Sequence, residues 1–383
     1  MEIFNVHYGE LSLKGKNKAS FENRLKYNIE TALDGIEYEK IERKETRIII
    51  YLNEKSNKEE IEKKLNKVFG ISWFSFAYVI EKDLEKVTKL ILDYAKEHLN
   101  GKKVKIDTKR SDKKFQATSL DVNKKIGKEL EANGIEIDLK KPEKKIFVEI
   151  LNDKIIVSFE KIKGLGGMPV KSSGKILSLF SGGIDSPVSS WLMMKRGCEV
   201  NFLHIHNYPR NDDVLNSKIV KLIKILKEFH PYKISLYIVS YQDFQEKTFE
   251  VPPKLELVLF RRFIANVANK LCKEEGALGV VTGDSIAQVA SQTLENLYCV
   301  DEAFSVPVYR PLATYDKQEI MELAQKVGTF DASIEEYKDC CSLVAVKHPA
   351  TKARLEQIKM IEERIGIEEV VRKTLEKIKV VEI

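Results

Sequence analysis

The residues best suited to chemistry in this 383-residue chain form a glycine-rich loop, Ser181-Gly182-Gly183-Ile184-Asp185-Ser186. An apolar run precedes the loop, and Pro187 follows it at the first turn of a predicted helix. The glycines let the backbone approach an oxyanion, and the serine hydroxyls and the unpaired N–H groups of the helix start can donate to a phosphate. Asp185, the acid of the loop, would act through Mg²⁺ or orient the substrate. The loop therefore predicts a phosphate-binding site.

A second candidate group is the pair Cys340-Cys341, because a reactive thiol must be able to become exposed and ionised. Charged residues precede the pair at Glu335-Glu336 and Lys338-Asp339, so we expect it on an exposed polar loop. The three cysteines in apolar surroundings are predicted to be structural: Cys198, Cys272 and Cys299. Five cysteines, two of them adjacent, cannot form a disulfide framework, which indicates a reducing, cytoplasmic compartment.

The elements that must position these groups alternate between strand and helix after residue 174. Short apolar strands between amphipathic helices predict a parallel sheet covered on both faces, which binds ligands beyond the carboxyl ends of its strands. The predicted strands are 176–180, 200–205, 234–240 and 278–282, and the predicted helices are 187–196, 214–229 and 255–274. After Lys352 the pattern is helical.

The first 170 residues predict two small α+β units that meet somewhere near 60–78. The predicted strands are 3–8, 47–52, 73–80, 104–108, 146–151 and 155–159, and the predicted helices are 21–33, 58–69, 84–99 and 119–133. Asn152-Asp153 favours a hairpin between the last two strands. The glycine-rich stretch 164–174 predicts a joint between the two halves of the chain and not a nucleotide P-loop, because no Lys-Ser/Thr pair directly follows one of its glycines.

The excess positive charge of the chain lies in its first half. Residues 1–171 hold 36 Lys and Arg against 29 Asp and Glu, whereas residues 172–383 hold 28 against 29. Such a surface is either a solvated Lys/Glu surface, as in many thermophile proteins, or a contact for a polyanion. The apolar runs are far shorter than the roughly 18 residues of a membrane span, and no signal-peptide pattern occurs, so we expect neither membrane association nor secretion.

The loop 181–186 resembles the SGGxDS loop of the PP-loop ATP pyrophosphatases. Other stretches resemble the tRNA 4-thiouridine synthetases (tRNA sulfurtransferases): 7–17, 164–174, 289–293, 310–312 and 337–341. The resemblance spans nearly the whole chain and implies an α/β PP-loop (adenine nucleotide alpha hydrolase-like) parallel-sheet domain behind an α+β ferredoxin-like domain and a THUMP domain. The expected boundaries are 1–75 for the N-terminal ferredoxin-like domain, 76–165 for the THUMP RNA-binding domain, 166–174 for the linker and 175–383 for the catalytic domain.

This resemblance implies cleavage of ATP between its α and β phosphates, with transfer of AMP to an acceptor oxygen. The loop lacks the lysine of a Walker loop, which fits a loop that holds the leaving pyrophosphate. Carried over residue by residue, the ATP contacts are expected at Leu177, Ser178, Ser181, Gly182, Gly183, Ser186, His204, Ile205, Arg261, Gly283 and Gln292. Asp185, Cys340 and Cys341 are the expected catalytic residues, Mg²⁺ accompanies ATP, and no protein-bound metal site is predicted. A lone histidine in an apolar strand, such as His204, is more often a hydrogen-bonded core residue.

The resemblance places the sulfur chemistry at the pair Cys340-Cys341, where one cysteine could carry a persulfide and the other resolve it. Many bacterial relatives have a further rhodanese domain, and this chain stops at Ile383, so we expect the sulfur from a separate cysteine desulfurase or from inorganic sulfide. The iron–sulfur cluster of some archaeal relatives would need Cys272 with both of these cysteines, and it is not expected. Some relatives serve thiamine biosynthesis, and the family suggests a homodimer in which one tRNA touches both subunits.

The resulting interpretation is an ATP-dependent tRNA sulfurtransferase that adenylates O4 of uridine 8 and replaces that oxygen with sulfur, giving 4-thiouridine. One alternative is another adenylating tRNA-modifying enzyme, such as a lysidine or thiocytidine former. A second is a non-catalytic tRNA-binding factor.

Basic residues are densest in the segment 102–114, within the expected THUMP domain. The predicted tRNA contacts are Lys109, Arg110, Lys113 and Lys114, and Phe115 beside them could stack on a base. The alternative for such a charge run is a solvated strand and loop.

Overall fold

One mixed sheet organises the first of the two units into which the chain divides, Met1–Gly167 and Met168–Ile383. The structure, a computed structural model, describes residues 1–13, 15–337, 340, 344 and 349–383. The strands of the first unit are β1 (Glu2–His7), β2 (Lys40–Lys44), β3 (Arg47–Tyr51), β4 (Trp73–Ile80), β5 (Val104–Arg110), β6 (Lys144–Ile150), β7 (Ile155–Ser158) and β8 (Ile162–Lys163). Its helices are α1 (Lys18–Ala32), α2 (Lys58–Leu65), α3 (Leu84–His98) and α4 (Ser119–Ala132), with 3₁₀ turns at Glu10–Leu13 and Gly15–Asn17.

The strand order of this sheet is β2-β3-β1-β4-β7-β6-β5, and β8 also pairs with β4. Strand β4 pairs antiparallel with β1 on one side and with β7 on the other, so the two predicted α+β units share one sheet. On β5, the buried residues Val104, Ile106 and Thr108 alternate with more exposed ones, as the period of a strand requires. The apolar side of β5–β7 packs against α3 and α4. Sequence analysis missed β2, whose Lys40–Lys44 run is polar because the strand lies at the edge of the sheet.

The second unit is built on a six-stranded sheet of order β13-β12-β9-β10-β11-β14. Its strands are β9 (Lys175–Leu179), β10 (Glu199–His206), β11 (Ser235–Ser240), β12 (Val280–Val281), β13 (Val308–Tyr309) and β14 (Lys379–Glu382). The helices described are α5 (Asp185–Lys195), α6 (Lys218–Lys227), α7 (Gln242–Gln245), α8 (Glu256–Glu275), α9 (Leu294–Asp301), α10 (Lys317–Val327), α11 (Phe330–Ser333), α12 (Leu355–Ile365) and α13 (Ile367–Glu376), and 3₁₀ turns are Asn211–Asn216, Thr248–Glu250, Pro253–Leu255 and Ala290–Gln292.

Strands β9 to β13 pair in parallel, which confirms the predicted parallel sheet and puts their carboxyl ends at one edge. The long helix α8 packs its apolar side into the main core of this unit. Three details of the prediction were wrong. The helix predicted over 214–229 is interrupted at Ser217, whose hydroxyl accepts from Ile219 N–H and so starts α6 afresh. The strand predicted over 278–282 forms a ladder only at Val280–Val281. The chain ends in a strand, β14, whose valines pair antiparallel with β11.

Among the described residues, no helix combines the length and the apolar character that crossing a membrane requires.

Candidate functional site

The glycine-rich loop connects β9 to α5, as the sequence predicted. Gly182 has a φ of 80°, a left-handed conformation that residues with a Cβ rarely adopt. The Gly182 N–H donates to Ser186 Oγ and the Gly183 N–H donates to Ser181 Oγ, each with an N···O distance of 3.3 Å. The loop therefore curls with its hydroxyls beside the helix start, as an anion-binding loop requires.

A cavity of about 250 Å³ opens over this loop. Eight of the predicted site residues line it: Ser181, Asp185, Ser186, Ile205, Arg261, Gly283, Gln292 and Cys340. Apolar side chains complete its wall, among them Leu257, Phe260 and Phe304. The pocket thus combines an apolar wall with a polar, phosphate-compatible end, the usual make-up of a ligand site.

The other predicted nucleotide contacts lie beside the cavity without lining it. On β9, Ser178 Oγ forms a hydrogen bond with Ser190 Oγ at 2.8 Å. His204 is fully buried, with Nδ1 2.6 Å from the Phe180 carbonyl oxygen and Nε2 2.5 Å from the Tyr337 hydroxyl. Burial lowers the pKa of His204 to about 4, so its imidazole is neutral at physiological pH. Contacts of His204, Leu177, Ser178, Gly182 and Gly183 with ATP stay predictions, as do those of the residues that line the cavity.

Asp185 at the start of α5 is held from both sides. Lys317 Nζ donates to Asp185 Oδ1 at a distance of 2.6 Å, and Gln288 Nε2 donates to Asp185 Oδ2 at 3.2 Å. Lys317 opens α10 behind Asp316, which caps that helix in a capping box with Glu319. The lysine that the loop itself lacks is thus supplied by another helix. Sequence analysis missed Lys317, because 132 residues separate it from Asp185.

Arg261 on α8 is fixed by the segment that follows β12. Its Nη2 donates to both carboxylate oxygens of Asp284, at distances of 2.8 and 2.7 Å. Its Nη1 donates to the Ser291 carbonyl oxygen at 2.8 Å. Gln292 Nε2 also donates to Asp284, over 3.2 Å. Asp284 follows a predicted site residue directly, but nothing in the sequence pattern marked it as the shared partner.

Gly283 lets the segment after β12 lie against the glycine-rich loop. A Cβ at this position would stand 2.9 Å from Asp185 C and Ser186 N, which are backbone atoms that cannot yield easily. Only a residue without a side chain allows this close approach.

We expect Gly283→Ala to weaken ATP binding by about ten- to hundredfold, because overpacking of about 1–3 kcal/mol would push the glycine-rich loop away. Isothermal titration with ATP measures the affinity. Gly127→Ala on α4 is the control, since a Cβ there meets nothing closer than 4.0 Å. Equal ATP affinity of Gly283→Ala and the wild type would show that the approach of the two segments is unimportant.

Cys340 corrects the expectation of an exposed loop. Its side chain is buried, its Sγ lies 3.6 Å from the Ile205 carbonyl oxygen, and it belongs to the main apolar core of this unit. Cys340 is thus a buried residue of the cavity wall and not part of an exposed loop. Cys341, the other predicted catalytic cysteine, lies outside the described residues.

The three remaining cysteines, Cys198, Cys272 and Cys299, are buried as predicted. Burial raises the pKa of each thiol, that of Cys272 to about 11. Since the thiolate is the nucleophile, these cysteines are poor candidates for sulfur transfer.

In the part of the chain that the structure describes, no group of three or more His, Cys, Asp or Glu side chains is placed to hold a metal ion. An iron–sulfur site would need Cys272, Cys340 and Cys341, of which Cys341 lies outside the described residues.

The side chains of the predicted tRNA-binding segment 102–114 differ in how far they are exposed to solvent. Lys109 is exposed on β5, whereas Arg110 Nη1 donates to the carbonyls of Phe115 (3.2 Å) and Ala117 (2.9 Å) and so supports the loop before α4. Phe115 itself packs against the core of α3 and α4, and Lys82 Nζ lies over its ring. The assignment of these side chains to RNA stays a prediction.

Three families match the chain in sequence. Residues 3–75 match the ThiI ferredoxin-like domain, residues 81–160 match the THUMP domain, and residues 171–367 match the family described as thiamine biosynthesis protein (ThiI). Among similar proteins is a probable tRNA sulfurtransferase of Caldanaerobacter subterraneus subsp. tengcongensis, 39% identical over 367 residues, 95% of each chain. Another of that name, from Staphylococcus aureus, is 35% identical over 99% of this chain and 93% of its own.

Solved structures are similar over comparable lengths. A 4-thiouridine synthetase crystallised with RNA and bound ATP superposes with a TM-score of 0.90 at 32% identity, over all of both chains. The protein PH1313 from Pyrococcus horikoshii superposes with a TM-score of 0.67 at 27% identity, covering 86% of this chain and 100% of its own.

Proposed function

This chain belongs to the ThiI family, and from that premise we propose that it is an ATP-dependent tRNA sulfurtransferase that converts uridine 8 to 4-thiouridine. One observation carries the proposal: a loop suited to pyrophosphate and the thiol of Cys340 line the same cavity. The two chemical requirements of the reaction, activation by ATP and a sulfur nucleophile, are therefore met in one place.

The activation step makes the oxygen of uridine a good leaving group. Uridine O4 attacks the α-phosphorus of ATP, the bond from that phosphorus to the bridging oxygen breaks, and pyrophosphate leaves as the base loses its N3 proton. The serine hydroxyls of the loop 181–186 and the N–H groups at the start of α5 hold the leaving pyrophosphate, and Lys317 and Arg261 bring positive charge towards the phosphates.

Asp185 serves in this scheme as the acceptor that places the Lys317 ammonium at the edge of the cavity. Mg²⁺ bound with ATP would offset phosphate charge. Such an ion prefers one or two carboxylates together with phosphate oxygens and water. Of the two carboxylates lining the described part of the cavity, Asp284 already has two guanidinium partners, Arg261 and Arg310, whereas the charged partner of Asp185 among the described residues is Lys317, so Asp185 is the residue that would hold the ion.

In the sulfur step, the terminal sulfur of a Cys340 persulfide attacks C4 of the adenylated uridine, the C4–O4 bond breaks, and AMP leaves with the oxygen. A second thiol, from Cys341 or an external reductant, then attacks Cys340 Sγ and breaks the S–S bond. The sulfur stays on C4 as 4-thiouridine, the two thiols become a disulfide, and an external thiol reduces that disulfide. The position of Cys340 in the cavity supports its role as the carrier.

Sulfur must reach Cys340 from outside, and we assign its supply to a cysteine desulfurase or inorganic sulfide. From a desulfurase, the Cys340 thiolate attacks the terminal sulfur of the desulfurase persulfide, whose S–S bond breaks and whose cysteine leaves as a thiolate. From sulfide, hydrosulfide attacks Cys340 Sγ in the disulfide left by the preceding turnover, so the Cys340 persulfide forms as the second thiol leaves. The partner is tRNA, and the working form is a homodimer in the cytoplasm.

The direct test incubates the purified protein with unmodified tRNA, ATP, Mg²⁺ and sulfide, and follows the absorbance of thiouridine together with pyrophosphate release. Thiouridine should form only with ATP, and a tRNA with cytidine at position 8 should give none. Pyrophosphate release with a different modified nucleoside in the digest would contradict the proposal.

Binding of tRNA is assigned to the first unit, and the exposed lysines of its basic segment can be tested without disturbing the loop that Arg110 supports. Replacing Lys109, Lys113 and Lys114 by alanine should weaken tRNA binding and reduce the slope of log K against log salt by up to about three, because each phosphate contact contributes nearly one unit. ATP affinity should not change.

The matched control replaces three exposed lysines of the second unit: Lys270, Lys273 and Lys326. It removes the same charge but should leave the salt slope close to that of the wild type. Unchanged tRNA affinity of the first triple variant at low salt would exclude the segment as an RNA contact.

A further inference from the structure

Asp284 is a buried carboxylate at which four side chains from separate parts of the second unit meet. It directly follows Gly283, beyond the carboxyl end of β12, and only 6% of it is exposed. One partner lies on α8, one directly follows β12, one lies in the 3₁₀ turn Ala290–Gln292, and one directly follows β13. The side chains that donate to its two oxygens are Arg261, Thr282, Gln292 and Arg310.

Two of these donors are predicted ATP contacts, and Asp284 determines the direction of both. The Arg261 guanidinium is held by both Asp284 oxygens and by the Ser291 carbonyl, so its planar group has one orientation at the cavity wall. The Gln292 amide donates its Nε2 to Asp284, which directs Oε1 the other way. No described residue donates to that Oε1 although it is buried, so the amide orientation depends on the bond to Asp284.

The charge of Asp284 is also required, because it lies between two guanidinium groups. Burial alone would raise the pKa of its carboxyl, but Arg261 and Arg310 hold that pKa below its ordinary value. Arg310 has a second carboxylate partner, Asp301, whereas Asp284 is the carboxylate that Arg261 contacts. Loss of the Asp284 charge would therefore affect Arg261 far more than Arg310.

We propose that Asp284 is a positioning residue of the nucleotide site, which acts on ATP through Arg261 and Gln292. Thr282 Oγ1 donates to Asp284 Oδ2 over 2.8 Å and helps to set the angle of the carboxylate. The inference rests on the proposed function in one respect, namely that ATP occupies the cavity.

The test measures ATP affinity by titration calorimetry on the full chain for Asp284→Asn, Arg261→Ala and the double variant. Asp284→Asn keeps the size of the side chain and should raise the Kd for ATP about tenfold or more, with a smaller change in the rate of pyrophosphate release at saturating ATP. In the Arg261→Ala background the same substitution should raise the Kd for ATP by a clearly smaller factor than in the wild type, because only its effect through Gln292 remains. Additive effects of the two substitutions would overturn the proposal.

Asp301→Asn is the matched control, since it removes a carboxylate from Arg310 but leaves Arg261 with its partner. Its Kd for ATP should stay within about twofold of the wild type, and an equal loss in both aspartate variants would show a general effect of charge and overturn the positioning role. If Asp284→Asn does not fold, Asp284→Glu, which keeps the charge, replaces it in the same cycle, and additivity again decides against the proposal. A wild-type chain that does not bind ATP would refute the proposed function, whereas normal ATP binding by Asp284→Asn would refute this inference alone.

Discussion

Asp185→Ala should lower the rate of pyrophosphate release by about 10³-fold or more, while the Kd for tRNA stays within about twofold of the wild-type value. The substitution removes the acid of the glycine-rich loop and leaves the Lys317 ammonium and the Gln288 amide without their acceptor. The Lys317 ammonium would then no longer be directed to the phosphates of ATP. Binding of tRNA is assigned to the other unit, so it should not respond.

Pyrophosphate release measured with saturating tRNA and ATP, together with filter binding of tRNA, checks this result. Asp331→Ala, which removes an exposed aspartate of α11, is the control and should be active. Lys317→Ala should lower the rate of pyrophosphate release by a similar factor. The double variant Asp185→Ala, Lys317→Ala should be only slightly slower than either single variant, because the two residues act as one unit. Near-normal pyrophosphate release by Asp185→Ala would show that the loop acid has no part in adenylation.

Cys340→Ser should stop thiolation and leave adenylation intact, because transfer of AMP to an oxygen needs no thiol. The loss should exceed about 10³-fold, as for removal of other catalytic nucleophiles. Serine is nearly the same size as cysteine, and the side chain is buried, so the cavity should keep its shape. The readouts are thiouridine absorbance and pyrophosphate release in one reaction, with mass analysis of the protein for a persulfide.

The buried cysteines Cys198 and Cys299 provide matched controls, and their serine variants should thiolate tRNA normally. Cys341→Ser should keep the persulfide on Cys340 but slow turnover if Cys341 resolves it. Normal thiolation by both Cys340→Ser and Cys341→Ser would move the sulfur chemistry elsewhere, and Cys272 would be tested next.

Much of the fold could be predicted, because the deciding signals were local. The buried strands β9, β10 and β11 and the helix α8 follow from short apolar runs and from helical spacing. The elements missed were those without such a signal. Strand β2 is polar because it lies at an edge, and β14 became a strand because β11 offers its backbone as a partner.

The sequence by itself determined the phosphate loop, since glycines, serines and an acid between a strand and a helix give that local structure wherever they occur. It also pointed to Arg261, Gln292 and Cys340 through their resemblance to a family. The tertiary structure alone decided which groups face one another. Lys317 reaches Asp185, Asp284 joins Arg261 to Gln292, and Cys340 is buried at the cavity, because the carboxyl ends of parallel strands and the helix starts beside them meet at one edge of the sheet. Contacts between residues so far apart in sequence depend on the folded chain, and no local pattern encodes them.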